Sequence, residues 1–180
     1  RFYIETVGCQ MNVLDSELVA ASLVQHGHAV APSARQADTI LFNTCSVRQH
    51  AEDKIYSALG RLKHLKQTHP HKIIGVLGCM AQKDQETIFR RAPHVDLVVG
   101  PGQLGRLPEL LAEVESERRP LLEVSLDRKA ARRVEVQESF SANDGSRVCW
   151  IRPNRRQAML RIMFCCDKFC TYCIVPRVRG

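Results

Sequence analysis

Cys166, Cys170 and Cys173 stand in the spacing C-x3-C-x2-C, inside a stretch, CCDKFCTYC, that holds four cysteines in nine residues. Thiolates at such intervals bind metal, and the spacing narrows which metal. The ferredoxin run packs three ligands as C-x2-C-x2-C, which differs. A zinc finger needs a second CxxC or a pair of histidines, and neither is present here. Three thiolates on short loops suit a four-iron cluster with one iron left open, because cluster irons are individually addressable. An open iron is a place for a substrate, a cofactor or an exogenous sulfur ligand.

Three further cysteines repeat the theme by a different route. Cys9 follows FYIETVG, Cys45 follows TILFNT and Cys79 follows IIGVLG. Each stands just past a strand-like run, at or just before the next helix. In an open parallel sheet all such positions line one edge, the edge at which these folds bind ligands. Thiols dispersed along the chain can therefore converge. A nearby helix N-terminus also favours the thiolate. The plain alternative is that cysteine merely suits a buried strand end. Structural zinc takes four protein ligands, and no histidine stands at a fourth strand end. The seven histidines fall mostly in polar stretches such as QHGH and THPH, and read as solvated loops or helix ends. Three thiolates again point to an open-iron cluster. A disulfide framework is disfavoured by the long apolar pattern and the lack of a secretion signal. Cys149 has no partner at ligand spacing and reads as a bystander.

The elements that must position these thiols alternate. Strands are expected at Phe2 to Val7, Thr39 to Thr44, Lys72 to Gly78 and Val95 to Gly100. Helices are expected from a cap at Asn12 or Asp15 to Gly27, from Ser46 to about Lys66, from Ala81 to Arg91, and from Leu104 to about Ser116. The strands are apolar runs and not in/out alternations, so the fold class is α/β, an open parallel sheet with helices on both faces. Three segments follow: 1–116 as that domain, 117–157 as a basic linker, and 158–180 as the start of a second domain, with Ala158 to Phe164 its first strand. Between Glu117 and Arg161 eleven Lys and Arg face six Asp and Glu, so most of the net charge of +7 lies there. The linker is read equally as a solvated connection and as a segment contacting nucleic acid. With 180 residues, 44% of them hydrophobic, the chain has room for one full domain and part of another. No membrane span is expected, since no run of eighteen apolar residues occurs. The absence of an initial Met and the stop soon after Cys173 make both ends look trimmed.

CDKFCTYC resembles the signature of the radical S-adenosylmethionine (SAM) enzymes. TVGCQMNVLDSE, NTCSVR with AEDK, GVLGCMAQ and CDKFCTYCIVPRVRG resemble, in order, the motifs of the radical SAM methylthiotransferases. The resemblance covers nearly the whole chain apart from the linker. NTCSVR is similar to the MiaB-like tRNA-modifying branch, whereas the branch acting on a ribosomal protein usually reads NTCGF there.

The resemblance implies a role for each position. Cys9, Cys45 and Cys79 would bind an auxiliary [4Fe-4S] cluster; Cys166, Cys170 and Cys173 would bind the cluster that holds SAM. Tyr172 matches the aromatic that packs near the SAM adenine, or else it simply covers the cluster. Gln10, Asn12, Asn43 and Arg48 match polar positions around the auxiliary cluster, with helix capping an equal account of Asn12. Arg177 and Arg179 are candidates for RNA phosphates or the SAM carboxylate, and equally for a surface role. Where the family usually has Gly before the first SAM-cluster thiol, this chain has Cys165. The implied reaction starts with reductive cleavage of SAM to methionine and a 5′-deoxyadenosyl radical. That radical takes hydrogen from carbon 2 of N6-isopentenyladenosine beside the tRNA anticodon, and a methylthio group is added there. An electron donor such as flavodoxin or ferredoxin and a cytoplasmic setting are implied with it. Threonylcarbamoyl-adenosine in tRNA or a ribosomal protein is the alternative substrate; a non-catalytic iron–sulfur protein is the alternative class. With only the first strand and cluster loop of a partial βα barrel present, the 180 residues are expected to be inactive by themselves. The C-terminal cysteine loop is expected to be exposed or disordered, and the N-terminal sheet to fold independently.

Overall fold

The structure is a computed structural model that describes residues 1–47, 49–124, 159, 166, 168 and 170–179. Five parallel strands form one sheet in the order β1-β2-β3-β4-β5, namely Phe2–Val7, Thr39–Thr44, Ile73–Gly78, Leu97–Val99 and Leu121–Glu123. The register aligns Val7 with Thr44 and Thr44 with Gly78, so the first three strands end level. Every residue of β2, β3 and β4 is buried, as strands covered on both faces require.

Alternate residues of these strands feed two cores. Leu41, Ile73, Leu77, Leu97 and Val99 meet α1 (Gln10–Gln25) and α5 (Leu107–Glu117) on one face. Ile40, Phe42, Ile74, Val76 and Val98 meet α2 (Gln49–Thr68), α3 (Cys79–Asp84) and α4 (Glu86–Arg91) on the other. The period of two along each strand makes both layers possible. Each fully buried Leu or Ile contributes roughly 1.5–3 kcal/mol. The expected α/β architecture with helices on both faces is therefore the one observed.

After α1 the chain does not go straight to β2. Phe2 donates its N–H to Ala29 O at 2.9 Å and its carbonyl accepts from Ala31 N at 2.7 Å, making a one-residue parallel bridge at Val30. Both Phe2 groups point to one side of β1, so Val30 lies on the edge away from β2. The chain thus moves one way from β1 and then returns past it to β2. The point at which direction reverses lies between β1 and β2, and ligands bind outside the strand ends at such a switch.

Several boundaries differ from the sequence expectation for identifiable reasons. Helix α1 is capped by Cys9, and the Asn12 side chain turns back to accept from the Cys9 N–H at 3.4 Å. Helix α2 starts at Gln49, three residues later than expected. The single helix expected over Ala81 to Arg91 starts earlier, at Cys79, and is divided at Gln85, whose φ of 45° breaks the ladder between α3 and α4. A 3₁₀ turn, Pro101–Arg106, occupies the start of the last expected helix. Strand β5 lies within the stretch read as linker; it is held by Leu121 N to Asp96 O and Gly100 N to Glu123 O, both 2.8 Å. The rest of that linker from residue 125 lies outside the described residues, as do Cys149, Cys165 and, Met159 apart, the expected strand from Ala158 to Phe164. Met159 packs against the core under α1 and α5. No helix among the described residues is long and apolar enough to cross a membrane.

Candidate metal centre

Cys9, Cys45 and Cys79 follow the level ends of β1, β2 and β3. Cys45 and Cys79 each come one residue after register partners, Thr44 and Gly78, on strands that lie about 4.8 Å apart. Cys45 N continues the ladder to Val7 O at 3.1 Å, which brings it beside the Gly8–Cys9 turn. All three thiols are free; Cys9 is exposed, while Cys45 and Cys79 are buried. They stand at the switch point between β1 and β2 and on the strand next to it.

Two glycines make the approach possible. A Cβ on Gly8 would fall 2.8 Å from Cys45 Cβ and 2.6 Å from Asn12 Oδ1. Gly78 has φ +91°, and a Cβ there would fall 2.6 Å from Asn43 Oδ1 and 2.7 Å from Thr44 O. Side chains at either position would push the strand ends apart.

Beneath the thiols lies a closed amide network. Asn12 Nδ2 donates to Asn43 Oδ1 and to Thr44 O, both at 3.0 Å; Asn43 Nδ2 donates to Asn12 O at 2.8 Å and to Ser16 Oγ at 2.9 Å. Asn12 and Asn43 are buried and serve to tie α1 to the end of β2. Within this network the Asn12 side-chain Oδ1 reaches a ligand candidate, accepting from Cys9 Sγ at 3.2 Å. Gln10 is exposed, and Arg48 lies outside the described residues.

Electrostatics differ from the simple dipole expectation at Cys79. Burial pushes this thiol up from its ordinary value, and the adjacent Arg179 guanidinium opposes that shift. Arg179 Nε donates to Cys79 Sγ at 3.2 Å, and Arg179 Nη2 donates to Asp15 Oδ2 at 2.7 Å. Arg179 closes a short helix, α6 (Val175–Arg179), packed on α3 and on the 3₁₀ turn. Its side chain is 7% exposed, so the surface role is excluded for Arg179, while Arg177 is exposed. The sequence held no signal for the Asp15–Arg179 pair, whose members are 164 residues apart.

Cys166, Cys170 and Cys173 precede this helix, and Cys173 N donates to Cys170 O at 3.1 Å in a tight turn. Tyr172 is 91% exposed. Residues 170–174 with Pro176 and Arg177 line a recess of about 540 Å³. Among the described residues no three His, Cys, Asp or Glu side chains stand close enough to hold a single metal ion. A four-iron cluster asks less convergence, since each thiolate takes its own iron. Free thiols on adjacent strand ends, cleared by Gly8 and Gly78, fit such a group.

The family described as "Uncharacterized protein family UPF0004" matches residues 1–100. The chain is 57% identical over 178 residues to a Rhodopirellula baltica protein named tRNA-2-methylthio-N(6)-dimethylallyladenosine synthase, covering 99% of the chain and 37% of that protein. Proteins of the same name from Alteromonas mediterranea and Dictyoglomus thermophilum are 44% and 38% identical; each match covers 100% of the chain and 35% and 38% of the relative. The chain therefore spans little more than a third of the curated relatives it matches. With more than half its length matched, this chain belongs to the UPF0004 family.

Proposed function

We propose that this chain is the N-terminal part of a radical SAM methylthiotransferase that modifies carbon 2 of N6-isopentenyladenosine beside the anticodon of tRNA. The observation that carries the reading is the gathering of Cys9, Cys45 and Cys79 at three level strand ends, at the sheet's switch point. The names of the relatives, each a tRNA-modifying synthase, support the substrate.

In this reading Cys9, Cys45 and Cys79 hold an auxiliary [4Fe-4S] cluster, and Cys166, Cys170 and Cys173 hold the one that binds SAM. When bound, the two clusters and SAM supply the carbon radical chemistry and the sulfur. The protein's own part is to position. The Asn12–Asn43 network sets the spacing of the Cys9 turn and the β2 end, Gly8 and Gly78 leave room, and α6 sets the C-terminal cysteine turn against the sheet edge. Tyr172 faces solvent beside the 540 Å³ recess, where an adenine ring could stack. An electron donor of the flavodoxin or ferredoxin kind and a cytoplasmic setting belong to the same reading. The domain limits 1–116, 117–157 and 158–180 belong to the same reading, with β5 lying inside the second segment while pairing with β4 of the first. The 180 residues alone are expected to lack activity.

Anaerobic reconstitution followed by iron and sulfide counting is the test. About eight irons per chain, falling to about four when Cys9, Cys45 and Cys79 are replaced together by Ala, is the expected result. Four irons that survive the triple replacement would leave the strand-end cysteines structural and remove the sulfur-donating site.

A further inference from the structure

Arg179 reaches two acceptors that the fold delivers from opposite layers. Asp15 belongs to α1 on one face of the sheet, and Cys79 opens α3 on the other. The guanidinium spans the C-terminal sheet edge between them, with Nη2 on Asp15 at 2.7 Å and Nε on Cys79 Sγ at 3.2 Å. Both charged side chains are buried, 7% exposed for Arg179 and 1% for Asp15. A buried carboxylate is tolerated only when paired, and a planar guanidinium can serve two acceptors at fixed angles where an ammonium cannot. The backbone behind Arg179 is short: five residues separate it from Cys173. The docked arginine therefore carries the C-terminal cysteine turn with it.

We infer that Arg179, anchored by Asp15, is a positioning residue that straps the C-terminal cysteine turn over the N-terminal cysteine site and places a fixed positive charge on the Cys79 sulfur. This rests on the reading of Cys9, Cys45 and Cys79 as cluster ligands. Hydrogen bonds to ligand sulfur and nearby charge set the potential of such clusters, a positive charge favouring the reduced form. The strap thus links two functions, the separation of the two cysteine groups and the redox poise of one of them.

The test uses the 180-residue chain in two states. Without metal, amide hydrogen exchange is read at Arg177 and Val178, whose N–H groups bond Ile174 O at 2.9 and 3.2 Å. Asp15→Asn and Arg179→Gln are expected to speed exchange at both amides; unchanged exchange in both variants overturns the strap. For the second state Cys166, Cys170 and Cys173 are replaced by Ala, so that the N-terminal site alone takes iron. The midpoint potential of that cluster, followed by electron paramagnetic resonance, is expected to fall in Arg179→Gln and to return part of the way in Arg179→Lys. Equal potentials in the parent and both variants overturn the electrostatic role. Failure of the parent itself to take up four irons sinks the cluster reading, while the exchange measurement still decides the strap.

Discussion

Gly78 and Gly60 are both glycines in regular structure, yet opposite outcomes are expected on replacing them. Gly78 sits at φ +91° with Asn43 and Thr44 where a Cβ would go, so Gly78→Ala is expected to cost roughly 2–3 kcal/mol in urea denaturation. Gly60 lies inside α2 with nothing within 4 Å, and Gly60→Ala is expected to add about 0.5–1 kcal/mol in the same measurement. At Tyr56 the question is proton affinity. Burial first, and then its hydrogen bond to Asp84 Oδ2 at 2.9 Å, push the phenol up to about 12, with Arg91 over the ring opposing. The folded state therefore favours the neutral phenol, a stabilisation complete below the ordinary value near 10 and lost as pH rises through 12. An alkaline absorbance titration should show a tyrosinate step near 12 that vanishes in Tyr56→Phe; a step that persists would assign it elsewhere.

Helices and strands carry their own tests. Gln85 divides α3 from α4 at φ 45° and ψ −124°, a conformation that suits glycine and strains other residues by about 1–3 kcal/mol. Gln85→Gly is expected to raise stability by about 1 kcal/mol, read as a higher urea midpoint with an unchanged slope. Nothing in AQKDQETIF marks this break, because a glutamine is an ordinary helix residue; Ile88, three residues on, is buried in the core with α2. Strand β5 was equally hidden: three residues, half-buried, in a charge-rich stretch, paired with β4 alone among the described residues. Its end is pinned by Gln82 Nε2 on Val124 O at 2.7 Å.

At the scale of the molecule the sheet and the charge act together. The strand order puts the switch point beside Cys9 and Cys45, so one edge of the sheet collects the three strand-end thiols. A net charge of +7 on 180 residues suits a polyanion. Under the tRNA reading, log affinity for an anticodon stem-loop is expected to fall linearly with log salt, with a slope of about −0.7 per single-strand phosphate contacted. A flat plot would mean that the positive charge neutralises no phosphate, and would count against RNA as the partner.

Much of this protein is determined locally and is legible along the chain. Strand-like runs ending at Val7, Thr44 and Gly78, with Cys9, Cys45 and Cys79 just past them, specify parallel strands with thiols at their ends; in β2 and β3 burial on both faces leaves no place for polar alternation. The C-x3-C-x2-C spacing is likewise legible within eight residues. Tertiary structure alone decided the rest. That Asn12 and Asn43 face each other, that Cys79 is buried enough for its thiol to rise despite a helix N-terminus, and that Arg179 closes on Asp15 all depend on which strands lie side by side. Pairing across 31 or 164 residues leaves no periodic trace, since each partner satisfies only local rules until the sheet brings the two together.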